Sequence, residues 1–324
     1  MDAAPSDRIH AGLDTRLDPT GVGHALIAYG VWGFAPIYWK VTAAFPSSEL
    51  LAYRVLASLA VAVLLIGATR GLPDVVRVLR SGRAAAAVVL ASLLIAVNWL
   101  TFIYAVQTDR IVATSLGYYI NPLVNVLFGL VLLRERLTRA QGIAVGLAAA
   151  GVAWQAFQLG ELPWISLVLA TSFGLYGLVR KLAPAAPLAG YALETLTLAP
   201  LALLYLAWLG WRGVATVGDA GPGMQAVVAA SGLITATPLV AFASAAKRLP
   251  LSTLGMFQYI APTLALGLAV VFYGEPFTAS HAVGFGCVWA ALALYAWDGW
   301  QRTPHTPLAD VYPAELAEAP EGES

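Results

Sequence analysis

Cysteine is almost absent from this chain and charge is scarce. Cys287 is the single thiol, and 11% of the 324 residues are Asp, Glu, Lys or Arg. One cysteine excludes an internal disulfide and any metal site built from several thiolates. So little charge excludes an ordinary soluble domain, which keeps about a quarter of its residues charged to stay wetted. The charges present also balance, 18 basic against 18 acidic, so the basic footprint that nucleic acid demands is missing. The four histidines, His10, His24, His281 and His305, lie in the tails or near helix ends. None joins Asp, Glu or Cys at metal-ligand spacing, and no Walker-type phosphate loop is present. A serine nucleophile paired with histidine at membrane depth is missing too. No cofactor and no metal is expected. What fills the chain instead is apolar, 59% of residues, with mean hydropathy +0.75. Most of such a surface must face lipid.

A helix crosses the hydrocarbon core in roughly 20 apolar residues. Ten runs of that kind are read near 22–41, 49–69, 84–106, 112–133, 140–157, 162–179, 190–209, 225–246, 252–273 and 281–300. Segments 1–21 and 301–324 read as cytoplasmic, solvated tails. The first twenty residues hold four Asp, two Arg and no apolar run, which is no signal peptide. The last stretch is rich in Pro and Glu. Basic residues favour the cytoplasmic side. With the N-terminus inside, 14 Lys and Arg fall in inside connections and 3 (Lys40, Arg110, Arg212) in outside ones. The split predicts both termini in the cytoplasm.

The chain also repeats itself at an offset of 140. Tyr119-Ile120-Asn121-Pro122 matches Tyr259-Ile260-Ala261-Pro262, and Glu135, Thr138 and Gly146 match Glu275, Thr278 and Gly286. The first unit spans 22–157 and the second 162–300. Five helices per unit is an odd number, so the second unit enters the membrane inverted. The loop charges agree: Arg134-Glu135-Arg136 on the inside becomes Gly274-Glu275-Pro276 on the outside, without its arginines. Inverted repeats are how secondary transporters obtain two related conformations open to opposite sides.

Asn98-Trp99-Leu100 with Phe102-Ile103-Tyr104-Ala105-Val106, then Thr114 through Asn125, resemble the RarD-like branch of the EamA transporters, within the drug/metabolite transporter superfamily. Arg134-Glu135-Arg136-Leu137, Tyr176 through Lys181 and Gln258 through Pro262 continue the match, which covers about 22–300. The resemblance implies an all-α integral membrane protein of ten helices in two EamA repeats. It also implies a bacterial-type inner-membrane location and ATP-independent transport of a small solute. The expected partners are that solute and the lipid bilayer. An intramembrane enzyme, a channel or a sensor is the alternative.

Ionisable groups inside a bilayer are costly and point to function. Arg54 and Glu194 qualify, and they are repeat equivalents on the second and seventh spans. They are expected roughly 15 Å apart in depth, too far for a direct salt bridge, at opposite mouths of a cavity. Glu194 is the candidate for a coupling proton. On the fourth span Tyr118, Asn121 and Asn125 recur at helical spacing around Pro122; on the ninth, Gln258, Tyr259 and Thr263 surround Pro262. Proline frees a backbone carbonyl, which in lipid needs protein or water beside it, so both stripes should face inward. Asn98 and Trp99, with Trp32 and Tyr176 in glycine-flanked settings, complete the candidate lining. Gly142 and Gly146 are expected to carry close packing of the fifth span on the tenth, beside Gly286. Glu135 and Glu275 read as helix caps.

Overall fold

The computed structural model describes residues 17–108, 110–159, 163–274 and 276–301. Glu275 and most of both tails lie outside them. The described residues form twelve α-helices, one short π-helix and no strand. They are α1 (Pro19–Val41), α2 (Ser47–Ala68), α3 (Leu72–Arg80), α4 (Gly82–Gln107), α5 (Ile111–Val131), α6 (Arg139–Leu159), α7 (Trp164–Leu182), α8 (Pro187–Arg212), α9 (Pro222–Arg248), α10 (Leu251–Gln258), α11 (Ile260–Gly267) and α12 (Ala279–Gln301). Nine segments are long and apolar enough to cross a membrane, with α10 and α11 forming one of them. The 23-residue α1 completes ten.

Local signals set the boundaries. Asp18 accepts hydrogen bonds from the Thr20 and Gly21 amides (2.8 and 3.3 Å), with Pro19 opening α1; this is an N-cap followed by a proline already shaped for a first turn. Ser81 caps α4 in the same way. Gly213 ends α8 at φ +65°, a conformation cheap only for glycine. The ninth span reads in the sequence as one apolar run kinked at Pro262, as the fourth is at Pro122; in the structure the ninth is divided while the fourth, α5, runs through Pro122. The ninth breaks at Tyr259–Ile260 and ends in a π-helical stretch, Leu268–Phe272. Pro262 has no N–H to donate and disturbs the turn before it. The short α3 was not foreseen either. It is too polar to span, buries Val78 and exposes Arg77 and Arg80, and it rests on the start of α8 through Val78, Ala189 and Leu193.

The packing is two-fold. If the ten spans are numbered in order, each helix of the first five has an equivalent five places on. Large contacts respect that exchange: α2 with α8, α5 with α10, and α6 with α12 join equivalents, α1 with α9 and α4 with α7 exchange with each other, and α5 with α7 exchanges with α10 and α11 against α1. The hydroxyl of Tyr259 donates to the carbonyl of Tyr119 (3.2 Å), its own equivalent at the offset of 140. Two equivalent residues touch only beside the pseudo-symmetry axis, so this contact locates it.

The two ends of the bundle are chemically different. At one end Arg248 pairs with Asp18 (3.1 Å), joining α9 to α1. Lys181 donates to the carbonyls of Ala246 and Leu249, and Lys247 to that of Ala183. Glu135 accepts from the Leu251 and Ser252 amides (2.6 and 2.9 Å) and from the Ser252 hydroxyl (2.6 Å). It therefore caps α10 from across the fold, with Arg134 at φ +56° turning the chain. This end holds the basic connections and is called the basic face below. At the opposite face Lys40 sits over the Tyr273 ring, and Glu49 accepts from the Thr216 and Val217 amides. The Glu135 loop and the Tyr273–Gly274 turn are repeat equivalents at opposite ends, so the second repeat is inverted.

One packing expectation needs correcting. The α6–α12 contact exists, but Gly142, Gly146 and Gly286 have open space where a side chain would be. The close approach is made by Gly151, whose Cβ would lie 2.8 Å from the Gly284 carbonyl oxygen and 2.9 Å from Cβ of Cys287. GxxxG spacing puts two glycines on one face of a helix; which face meets the neighbour is decided by the rest of the bundle.

Candidate functional site

Packing is tighter towards the basic face. The stretch Leu251–Met256, at that end of the ninth span, is wholly buried, whereas Ile260–Leu266 beyond the break is half-buried. Tyr29, Trp32, Phe173, Tyr176 and Phe242 fill the space between α1, α7 and α9, their neighbouring centroids 5.2–6.4 Å apart. Tyr29 also donates to the Leu254 carbonyl (3.1 Å). Thus the two ring candidates Trp32 and Tyr176 belong to one aromatic plug.

Behind the plug lies a buried ion pair. Glu194 Oε1 is 3.0 Å from Arg180 Nη1, with side chains 4% and 1% exposed. The guanidinium N–H does not point along this line, so the contact is an ion pair without hydrogen-bond geometry. Tyr176 donates its hydroxyl to Glu194 Oε2 (3.1 Å), and Arg180 Nη2 donates to the Pro187 carbonyl (2.8 Å). Gly190, one turn before Glu194, makes the room: any Cβ there would collide with the Arg180 guanidinium. Arg180, one of the fourteen basic residues counted in the inside connections, lies instead in the last turn of α7, turned inward. Arg54 and Glu194 each sit seven residues, about 10 Å, into their helices, and they do not pair with each other.

The amides lie in helix interfaces. Asn125 Nδ2 donates to Gln258 Oε1 (2.8 Å) and reaches Asn121 Oδ1 (3.5 Å), tying α5 to α10 where Gly255 lets α10 approach the Pro122 carbonyl. Asn125 Oδ1 has no hydrogen-bond donor and faces Gly174 and Gly177 of α7. Asn98 Nδ2 donates to the Leu169 carbonyl (2.9 Å) and the Ser172 hydroxyl (3.1 Å), joining α4 to α7. Thr263 donates to the Tyr259 carbonyl in the turn that Pro262 disturbs, and accepts from Trp289 Nε1 (3.2 Å).

Arg54 has a different setting. Its Cζ lies 4.4 Å from the centroid of Trp99 and 5.4 Å from that of Trp39. Its Nε is buried and unpartnered, and among the described residues no carboxylate pairs with it. Tyr118, Tyr191 and Tyr38 are its electrostatic neighbours. Ser58 and Tyr191 approach each other without reaching hydrogen-bond geometry, as do Ser231 and Tyr38, which leaves the Ser58, Tyr191 and Ser231 hydroxyls buried and unpartnered. Tyr118, beside Arg54, is 51% exposed. Arg54 is itself half-buried, so both side chains border one accessible space, called the Arg54 cavity below. Tyr38, Trp39, Ser58, Tyr191 and Ser231 carried no motif in the sequence. Their shared signal is only that each is a polar or aromatic residue within an apolar run.

Comparison with known proteins agrees with this architecture. Residues 19–156 match the EamA-like transporter family. An uncharacterized transporter of Pseudomonas aeruginosa is 44% identical over 87% of this chain and 95% of its own. Protein RarD of Streptomyces exfoliatus is 43% identical over 92% and 95%, and Protein RarD of Escherichia coli 40% identical over 88% and 97%. A protein known by its crystal structure superposes with TM-score 0.67 at 22% identity, covering 88% of this chain and 99% of that one, a likeness of fold alone.

Proposed function

Because this chain belongs to the EamA-like transporter family, in its RarD-like branch, we propose that it is a secondary transporter that carries a small amphipathic solute by alternating access. The observation that carries the reading is the unequal exposure of equivalent residues. Tyr118 is 51% exposed, and its repeat partner Gln258 is 7% exposed. In a transporter built from inverted repeats, one half of a pseudo-symmetric cavity is open while the other is packed shut. The aromatic plug, the Glu135 cap and the lysine–carbonyl bonds would be the closed side, and the Arg54 cavity the open one. We place the basic face in the cytoplasm of a bacterial inner membrane, so this state opens outward. Proton coupling, if the carrier uses it, runs through Glu194, which Arg180 and a proton would neutralise in turn.

Reconstitution tests the proposal. Purified protein in liposomes without nucleotide should give saturable uptake that an internal pool of the same solute accelerates. Conversion of the solute to a product without flux would mean an enzyme, and uptake that does not saturate would mean a channel.

A further inference from the structure

We propose that the Arg54 cavity is a recognition site for a net-anionic solute with a flat apolar body, such as an aryl carboxylate, rather than for a neutral, cationic or zwitterionic one. The inference rests on the transporter reading and adds the charge and shape of the cargo.

A guanidinium half-buried among apolar helices is stabilised by a counter-charge, and desolvating it without one costs up to several kcal/mol. The other large internal cation, Arg180, has one in Glu194. Arg54 has none among the described residues. Its protein neighbours are ring faces and hydroxyls, which stabilise a cation by about 0.5–2 kcal/mol per aromatic contact but do not neutralise it. The nearby acid Glu194 is already paired and bonded to Tyr176. The partial exposure of Arg54 and of its neighbour Tyr118 leaves this side open for an anion to supply the counter-charge.

The donors fit a carboxylate. Arg54 offers its planar fork, which matches carboxylate geometry, with a buried and unpartnered Nε, and the hydroxyl of its neighbour Tyr191 has unused capacity. Trp39 and Trp99 flank the guanidinium, and the Tyr118 ring borders the accessible space. Together they offer ring faces to an apolar body attached to that carboxylate. Among the described residues no unpaired carboxylate lies beside Arg54 to receive an ammonium group, which disfavours amino-acid zwitterions.

The test is equilibrium binding at neutral pH of radiolabelled phenylacetate to the purified protein in detergent, with phenylacetamide, phenethylamine and phenylalanine as competitors. These four share a ring and differ in charge. Saturable binding of phenylacetate, with each competitor at least about tenfold weaker, is expected, since one charge-assisted bidentate contact is worth that much. Arg54→Gln should lose binding by at least about the same factor while eluting as the wild-type species on gel filtration. Absence of saturable phenylacetate binding, equal competition by the amide or amine, or unchanged affinity in Arg54→Gln would each overturn the proposal. Should that variant fail to fold, the wild-type comparison of acid against amide still decides. Counterflow in liposomes separates this idea from the transporter reading. Binding at Arg54 without any flux leaves the anion site and removes transport; flux of a neutral solute that ignores Arg54→Gln leaves transport and removes the anion site.

Discussion

Replacing Glu194 by Gln keeps the shape of the side chain and removes its charge, leaving the Arg180 cation 1% exposed with one carbonyl partner, that of Pro187. Two magnitudes compete. If the contact acts only as an interhelical hydrogen bond, its loss in a membrane protein averages about 0.6 kcal/mol. If it neutralises a buried charge, removing one partner costs about 3–5 kcal/mol. Gln can still accept from Tyr176, so the lower end, about 3 kcal/mol, is expected. Reversible unfolding in mixed micelles of mild detergent and SDS resolves that difference. The double variant Arg180→Met/Glu194→Leu, which removes both charges, should recover to within about 1 kcal/mol of wild type, because apolar replacement of a whole buried pair is often neutral. A loss below about 1 kcal/mol in Glu194→Gln, or additive losses in the double variant, would refute the claim that the pair is held by charge neutralisation.

Gly190→Ala should destabilise by a similar amount, about 2–3 kcal/mol in the same titration, because its Cβ displaces the Arg180 guanidinium; an unfolding curve matching wild type would show that the guanidinium has another place to go. Glu135→Gln should weaken the cap on α10 by about 1–2 kcal/mol and shift the balance towards opening at the basic face by about 5–30-fold, read as distance distributions between spin labels across that face. Glu194→Gln should also abolish accumulation driven by a pH gradient while sparing exchange at equilibrium, and wild-type accumulation in that variant would dismiss the proton role. Reporter fusions after Arg83 and Arg139 should report cytoplasm, and those near Gly160 (outside the described residues) and Gly218 the far side; reversal of all four would overturn the orientation.

Much of the architecture is legible in the sequence because lipid imposes simple rules. Ten apolar runs, short connections and a 140-residue offset follow from composition and pattern, and the offset reappears as the contact between Tyr119 and Tyr259. The break in the ninth span was signalled by Pro262, whereas the choice of Tyr259–Ile260 depends on how α10 packs against α5. Arg180 escaped notice because a basic residue at a helix end resembles a loop anchor, and only the direction of its side chain reveals the pair. One faint sign existed: Gly190 lies one turn before Glu194, leaving space on the same face. The surroundings of Arg54 were illegible for another reason. Ser58, Tyr191 and Ser231 come from three helices, and hydroxyls are common in membrane helices, so nothing in one dimension brings them together. Asn121, Asn125 and Gln258 were readable as an inward stripe, but their pairing across α5 and α10 was not.

Alternating exposure of the two repeats is the central claim, and cysteine accessibility measures it most directly. With Cys287 replaced by Ala, Tyr118→Cys and Gln258→Cys report on equivalent positions that are 51% and 7% exposed in the wild-type chain. A membrane-impermeant thiol reagent should reach Tyr118→Cys from the side opposite the basic face and label Gln258→Cys slowly. A solute that shifts the conformational balance should lower the first rate and raise the second, now from the basic face. Labelling of both positions at rates that ignore every transported solute would contradict the account.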